Sequence, residues 1–384
     1  LIYKVRETSG TIANSFERFY LFIIIWLFAA TVLKIFSYGF SWIEPLSFFF
    51  RVLNGFAVFA VFPLIFKDRK SINSLVNAFF IATFFPLAQG LIQLIFGANI
   101  GGMRSSISDG SGSGNYEMYY GLYFKYGGYA WAALCGGLIM IYKMGIKIRI
   151  DRKREFIYGG LFILYLVLAS MTLSRVLIFS MAVVIATIFI TIRATNAGFL
   201  LIAAVLIVAA LTISGSGYVK SRYQQVMDRS EREFQVVSGE ADAESAFHGR
   251  GSLWKSKLDE FNQRPFIERL SGTNISTGPH SDYVQWLLQY GYIGIILYIL
   301  LFPVLLVCSV RMLFRTKDSY LRPYGFMVVA GLIVWLMEAI IHNSSQMPDY
   351  SYFIIGNAAV FLSAGKNMLN QDSSSSAFQL ANMV

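Results

Sequence analysis

Apolar runs separated by short clusters of lysine and arginine set the pattern of this chain, and they predict helices rather than strands. Stretches at 19–36, 46–66, 75–96, 120–142, 156–173, 176–192, 197–214, 292–310, 324–341 and 350–364 are each near the length of about twenty residues that crosses a bilayer as an α-helix. The pattern changes between 214 and 292, the one long polar interval. There 220–237 reads as a charged, helix-compatible run, 238–245 as an acidic break, and 252–261 as a short amphipathic helix that ends before Pro265. Ser281 and Asp282 then supply an N-terminal cap for a helix through Tyr290, with Gly291 and Gly294 marking its junction to the next span. The segment 105–115, SSISDGSGSGN, reads as a solvated connector, and the serine-rich 370–384 as a disordered tail.

Composition agrees with a polytopic membrane protein: 56% of residues are hydrophobic and only 14% charged. Orientation follows from lysine and arginine in the short loops, because cytoplasmic loops retain positive charge. Lys4, Arg6 and Arg18; Lys67, Arg69 and Lys70; Lys143 to Arg154; Arg193; and Arg311 to Arg322 fall in alternating loops, which are therefore inside, as are both termini. The loops at 37–44, 97–119, 215–291 and 342–349, and the turn at Arg175, then face out. This topology accounts for much of the net charge of +10, so basicity gives no argument for nucleic acid. Cys135 and Cys308 both sit within predicted spans, which argues against a disulfide framework or a thiolate metal site. The absence of an initiator Met before Leu1 points to missing N-terminal residues, one or two spans' worth.

The expected organisation is transmembrane helices with short loops over 1–214, an outer loop or cap over 215–291, C-terminal transmembrane helices over 292–369, and a cytoplasmic tail over 370–384. The fold class is all-α, a bundle of about ten spans with a helical external insertion.

No paired carboxylates at an obvious spacing, no DxD or HExxH metal motif, no phosphate-cradling GxxxxGK[ST] and no GxSxG elbow occurs, so chemistry needing a bound metal or nucleotide is disfavoured. The outer side instead collects basic groups: Arg175 at its turn, Arg250 and Arg264 in the insertion, His280 before a helix start, and Arg51 and Lys125 near the outer ends of their spans. Arginine presents a fixed fork of donors suited to phosphate. A neutral histidine beside such a cluster accepts a proton from an attacking hydroxyl. Each has a plainer reading. Arg175 caps carbonyls or meets headgroups, Arg250 pairs with Glu244 or Asp259, and Trp254 and Trp286 anchor at the interface rather than stack on sugar. His342 is either a helix-end residue or a second lining of the site, with Glu338 about one turn below it and able to pair with it or an outer arginine.

In this order, TLSR at a membrane turn (Thr172 to Arg175), Gly249 and Arg250 followed by Trp254, a proline-containing segment, then HSDYVQWLLQYGYIG entering a span, the chain resembles the O-antigen polymerase and ligase superfamily of bacterial envelope polysaccharide assembly. The resemblance covers roughly the C-terminal half. It implies a GT-C-like membrane glycosyltransferase at the periplasmic face of the inner membrane, without cofactor or metal. The donor it implies is an oligosaccharide on undecaprenyl pyrophosphate. The acceptor is another lipid-linked repeat unit for a polymerase or a lipid A core for a ligase, with membrane lipids and other assembly proteins as partners. Carried over, Arg175 and Arg250 hold the pyrophosphate and His280 activates the acceptor hydroxyl. Arg51, Lys125, Arg264, His342 and Glu338 are candidate lining. The chain has Ser281 where many members have asparagine after the histidine, and fewer spans than the family's twelve or so. Polymerase is the preferred reading. A glycolipid transporter, expected to place ionisable residues near the bilayer midplane in paired halves, ranks lower, and a non-catalytic receptor would tolerate substitution at His280 and Arg250.

Overall fold

The computed structural model describes residues 11–37, 43–96, 104–108, 115–119, 128–146, 152–171, 175–192, 250–273, 281–341 and 351–381. The chain forms two compact units, one of residues 1–77 and 260–384, the other of residues 78–259.

In the first unit α1 (Thr11–Ser37), α2 (Ile43–Ile65) and the start of α3 (Arg69–Phe96) combine with α8 (Phe266–Ser271), α9 (Asp282–Arg315), α10 (Leu321–Ile341), a π-helical turn (Ser351–Ile355) and α11 (Gly356–Ala381). α9 packs on α1, α8, α10 and α11, and α2 packs on α1 and α11. α1 shows why an apolar helix still has an inside. Tyr20, Ile23, Ile24, Leu27, Ala30 and Thr31 recur at helical spacing and are buried, while Leu21, Phe22, Ile25, Phe28 and Phe36 are exposed. An apolar outer face of this kind suits lipid rather than water. Tyr20 meets Phe56 and Phe59 of α2 edge-on at 5.2 and 5.8 Å, an arrangement favoured by the ring quadrupoles. Where α11 begins, a side chain at Gly356 would collide with Phe62 and Val58 of α2, so the close approach of the two helices depends on that glycine. The Tyr324 hydroxyl donates to Asn357 Oδ1 at 2.7 Å, satisfying both groups inside the bundle.

At one end of this unit two charged loops meet. Arg69 forms an ion pair with Asp318, and the Tyr320 hydroxyl donates to the Arg69 carbonyl at 2.8 Å. Asp318 Oδ1 also accepts the backbone N–H groups of Tyr320 and Leu321 at 2.9 and 2.8 Å, capping α10. Charge counting assigns these two loops to the same side, and here they are in contact. The ion pair is largely exposed and adds little. The cap matters more, and Asp318→Ala is expected to lower unfolding stability by about 1 kcal/mol, against a smaller effect of Arg69→Ala, as denaturant titration in micelles would measure. Next to it Asp68 caps α3. The Ser71 backbone N–H, donated to its carboxylate at 2.8 Å, holds Asp68 below the ordinary carboxylate range. Its folded value being depressed, that contribution is present at neutral pH and is lost as pH falls through the lowered value.

The second unit holds the rest of α3, a hairpin of β1 (Arg104–Ser108) and β2 (Asn115–Tyr119), then α4 (Gly128–Gly145), α5 (Arg152–Met171), α6 (Arg175–Ile192) and most of α7 (Arg250–Asn262). α4 is its centre, packed by α5 and α6 and buried almost all round from Ala132 to Tyr142. Gly136 makes room for the Tyr165 ring of α5, and the hydroxyls of Tyr165 and Thr83 share a hydrogen bond of 2.6 Å.

Several expectations change. Among the described residues five helices are long and apolar enough to cross a membrane: Arg18–Phe36, Leu46–Ile65, Arg69–Ile92, Asp282–Arg315 and Leu321–Ala339. Shorter apolar helices at Ala130–Gly145, Ile157–Ala169 and Phe179–Thr191 occupy three more of the expected positions, and 197–214 lies outside the described residues. Of the span expected over 120–142, the described part is helix from Gly128, and 120–127 lies outside the described residues. Both ends of the connector expected at 105–115 lie in an antiparallel ladder, Arg104 opposite Tyr119 and Ser108 opposite Asn115, the one pair of strands among the described residues. The tail expected to be disordered from 370 continues α11 to Ala381.

Candidate active site

α7 begins at Arg250 and ends at Asn262, close to the short helix expected at 252–261, and Pro265 follows as its stop. Arg264, in the turn between α7 and α8, donates to Glu260 at 3.2 Å, one helical turn back. α8 then closes on Gly272, whose φ of 106° only glycine adopts readily.

From here the chain is fastened to α9 by two glycines facing each other. Gly291 interrupts α9 with φ 67° and ψ −165°, dividing an entry segment at 282–290 from the long span, as the junction predicted there requires. A side chain at Gly291 would strike the carbonyls of Arg269 and Leu270, and one at Gly272 would strike the carbonyl of Gln289. Just before the kink the Leu288 carbonyl accepts bonds from outside its helix. Thr273 answers it twice, the backbone N–H at 2.7 Å and the hydroxyl at 3.0 Å. Below this Phe261 and Leu288 form a small core with Val284 and Leu287, and Tyr292 meets Phe261 edge-on at 5.5 Å.

The entry segment of α9 is buried and polar at its start. Ser281 stands at the N-cap position in an extended conformation but makes no side-chain cap bond; its carbonyl accepts Gln285 N–H at 3.0 Å. The expected capping role of Asp282 is replaced by a different one. Its side chain is 0% exposed and accepts the Tyr298 hydroxyl at 2.8 Å, a bond that reaches across the Gly291 kink. Trp286 stacks on the Tyr298 ring at 4.6 Å and 20°, with Phe48 of α2 against its edge. Trp286 is therefore a core residue, neither an interfacial anchor nor a sugar platform. Tyr298→Phe removes one donor from a buried carboxylate and is expected to cost about 1.5–3 kcal/mol of stability, with a parallel fall in catalytic rate if the entry segment shifts; unfolding and turnover measured on one preparation test both.

The candidates fall as follows. Arg175 is the first residue of α6 and Arg250 the first of α7. His280 immediately precedes Ser281 at the start of α9 but lies, with Lys125 and His342, outside the described residues. Arg51 is exposed on α2, Arg264 is held by Glu260, and Glu338 is 2% exposed inside α10. Among the described residues no group of histidine, cysteine and carboxylate side chains is arranged to hold a metal.

One cation escaped the sequence reading. Lys34 of α1 is buried against the entry segment, its ammonium 3.4 Å from Gln289 Oε1 and 4.6 Å from the centre of the Tyr290 ring. Its signal was available, since it continues the buried stripe of Leu27 and Thr31 at helical spacing. A hydropathy window averages that single charge away.

No curated protein matches the chain. Residues 159–299 match a protein-family model described as O-Antigen ligase, a segment that runs from α5 into α9 and contains Arg175, Arg250 and His280. The match and the several long apolar helices fit a multi-pass membrane protein whose segment 159–299 is similar to the O-antigen ligase family.

Proposed function

We propose that the protein is a polysaccharide polymerase of the bacterial inner membrane. It transfers a glycan from undecaprenyl pyrophosphate to a sugar hydroxyl of another lipid-linked repeat unit at the periplasmic face. The observation that supports glycan transfer, common to polymerase and ligase, is the family match over the segment holding all three principal candidates.

The chemistry is metal-independent and inverting. The acceptor hydroxyl attacks the anomeric carbon, His280 takes its proton, the bond from that carbon to the pyrophosphate oxygen breaks, and lipid pyrophosphate leaves. Because pyrophosphate is already a competent leaving group, the protein supplies position and charge, with Arg175 and Arg250 on the phosphates. Both begin helices, where free backbone N–H groups also favour anions. The stretch 215–291 serves as a cap over the donor, and Arg51, Lys125, Arg264, His342 and Glu338 are its further lining.

A ligase transferring glycan to a lipid A core of lipopolysaccharide is the second reading, favoured by the description of the matching family. Complementation of a null strain separates the two, with surface glycan sized on a gel. A null strain bearing single repeat units on core, restored to a ladder by the wild-type gene, indicates the polymerase. Polymer held on undecaprenyl pyrophosphate with bare core indicates the ligase.

A further inference from the structure

Lys34 sits in the last turn of α1 with 1% of its surface exposed. Its ammonium carries three donors. Among the described residues it meets one acceptor, Gln289 Oε1 at 3.4 Å, near the outer limit of a hydrogen bond, and the face of Tyr290. That is thin compensation for an ammonium within apolar helices, where charges are costly and mark function.

The face of α9 that Lys34 touches is itself unusual. Ser281, Gln285 and Gln289 follow one another at four-residue spacing, exposed by only 3%, 3% and 4%. Gln285 Oε1 has no hydrogen-bond partner among the described residues. A buried polar stripe with an acceptor unmet among the described residues, beside an ammonium with one long hydrogen bond, suits a polar ligand rather than packing. At 1.5 Å per residue it spans about 12 Å, from the Lys34 contact to the residue beside His280.

We propose that Lys34 is a further substrate-binding residue. With Gln285 and Gln289 it seats the phosphate-bearing head of a polyprenyl lipid along the entry segment of α9, leading that head toward His280. The inference deepens the glycan-transfer reading and rests on it.

The test is binding, without turnover, of undecaprenyl pyrophosphate to the full chain in phosphatidylcholine nanodiscs, with phosphatidylglycerol and inorganic pyrophosphate as separate competitors. Lys34→Met keeps length and volume while removing the charge, so thermal unfolding should stay at or above wild type. Its affinity for undecaprenyl pyrophosphate should fall about tenfold to a hundredfold, the loss of one charge-assisted hydrogen bond. Lys34→Arg should remain near wild type. Unchanged affinity in Lys34→Met overturns the proposal. So does a loss confined to phosphatidylglycerol, which would make the site one for bulk lipid, or a loss that tracks lowered unfolding temperature, which would make Lys34 structural. Failure of the wild type to transfer any glycan would instead count against the function proposed above, since this readout does not depend on turnover.

Discussion

His280→Ala is expected to slow glycan transfer by about a hundredfold to ten-thousandfold, the usual contribution of a positioned general base. Binding of the lipid-linked donor should stay within a few fold, because phosphate contacts are assigned to arginines and not to the imidazole. The effect should therefore fall on kcat rather than KM. Purified protein, a lipid-linked donor and a labelled acceptor give both constants, and added imidazole should restore part of the rate in the variant alone. Wild-type turnover in His280→Ala would remove the histidine from the chemistry and reopen the transporter and receptor readings.

Gly291→Val is expected to lose roughly 2–5 kcal/mol of stability, the sum of left-handed backbone strain and forced repacking. Its φ is 67°, and a Cβ there has no space beside the Arg269 and Leu270 carbonyls. The loss should be more than one of stability. The kink orients the entry segment that begins at Ser281, and the Thr273 bonds to Leu288 depend on it. Any folded fraction of Gly291→Val should thus transfer glycan poorly. Gly160→Ala in α5 is the control. Nothing lies within 4 Å of the position, so the change is expected to be neutral or to add about 0.5–1 kcal/mol. Unfolding in micelles, with turnover per folded molecule, separates the two glycines; equal behaviour would show that the kink is dispensable.

Much of the plan was legible in the chain because hydropathy is summed over about twenty residues and survives local error. Apolar runs located the long helices, the lysine and arginine clusters put the Arg69 and Asp318 loops on one side, and Pro265 and Gly291 marked a stop and a junction that the fold uses. What misled were places where one partner decides the outcome. The strand at Asn115–Tyr119 exists because Arg104–Ser108 pairs with it, which no window centred on either segment reveals.

The site divides in the same way. The histidine and arginine candidates were singled out by residue type and order, properties a linear text displays. Lys34, the Asp282 bond to Tyr298 and the buried stacking of Trp286 were not, since each depends on residues 12 to 255 positions apart or on which face of a helix is covered. The sequence by itself therefore determined the membrane character, the positions of the long helices and the chemical class of the candidate residues, because these follow from local composition. Tertiary structure alone decided that Gly272 and Gly291 interlock, that a lysine turns inward and that a predicted cap is a buried hydrogen-bond acceptor, because side chains acquire those roles only when distant helices close around them.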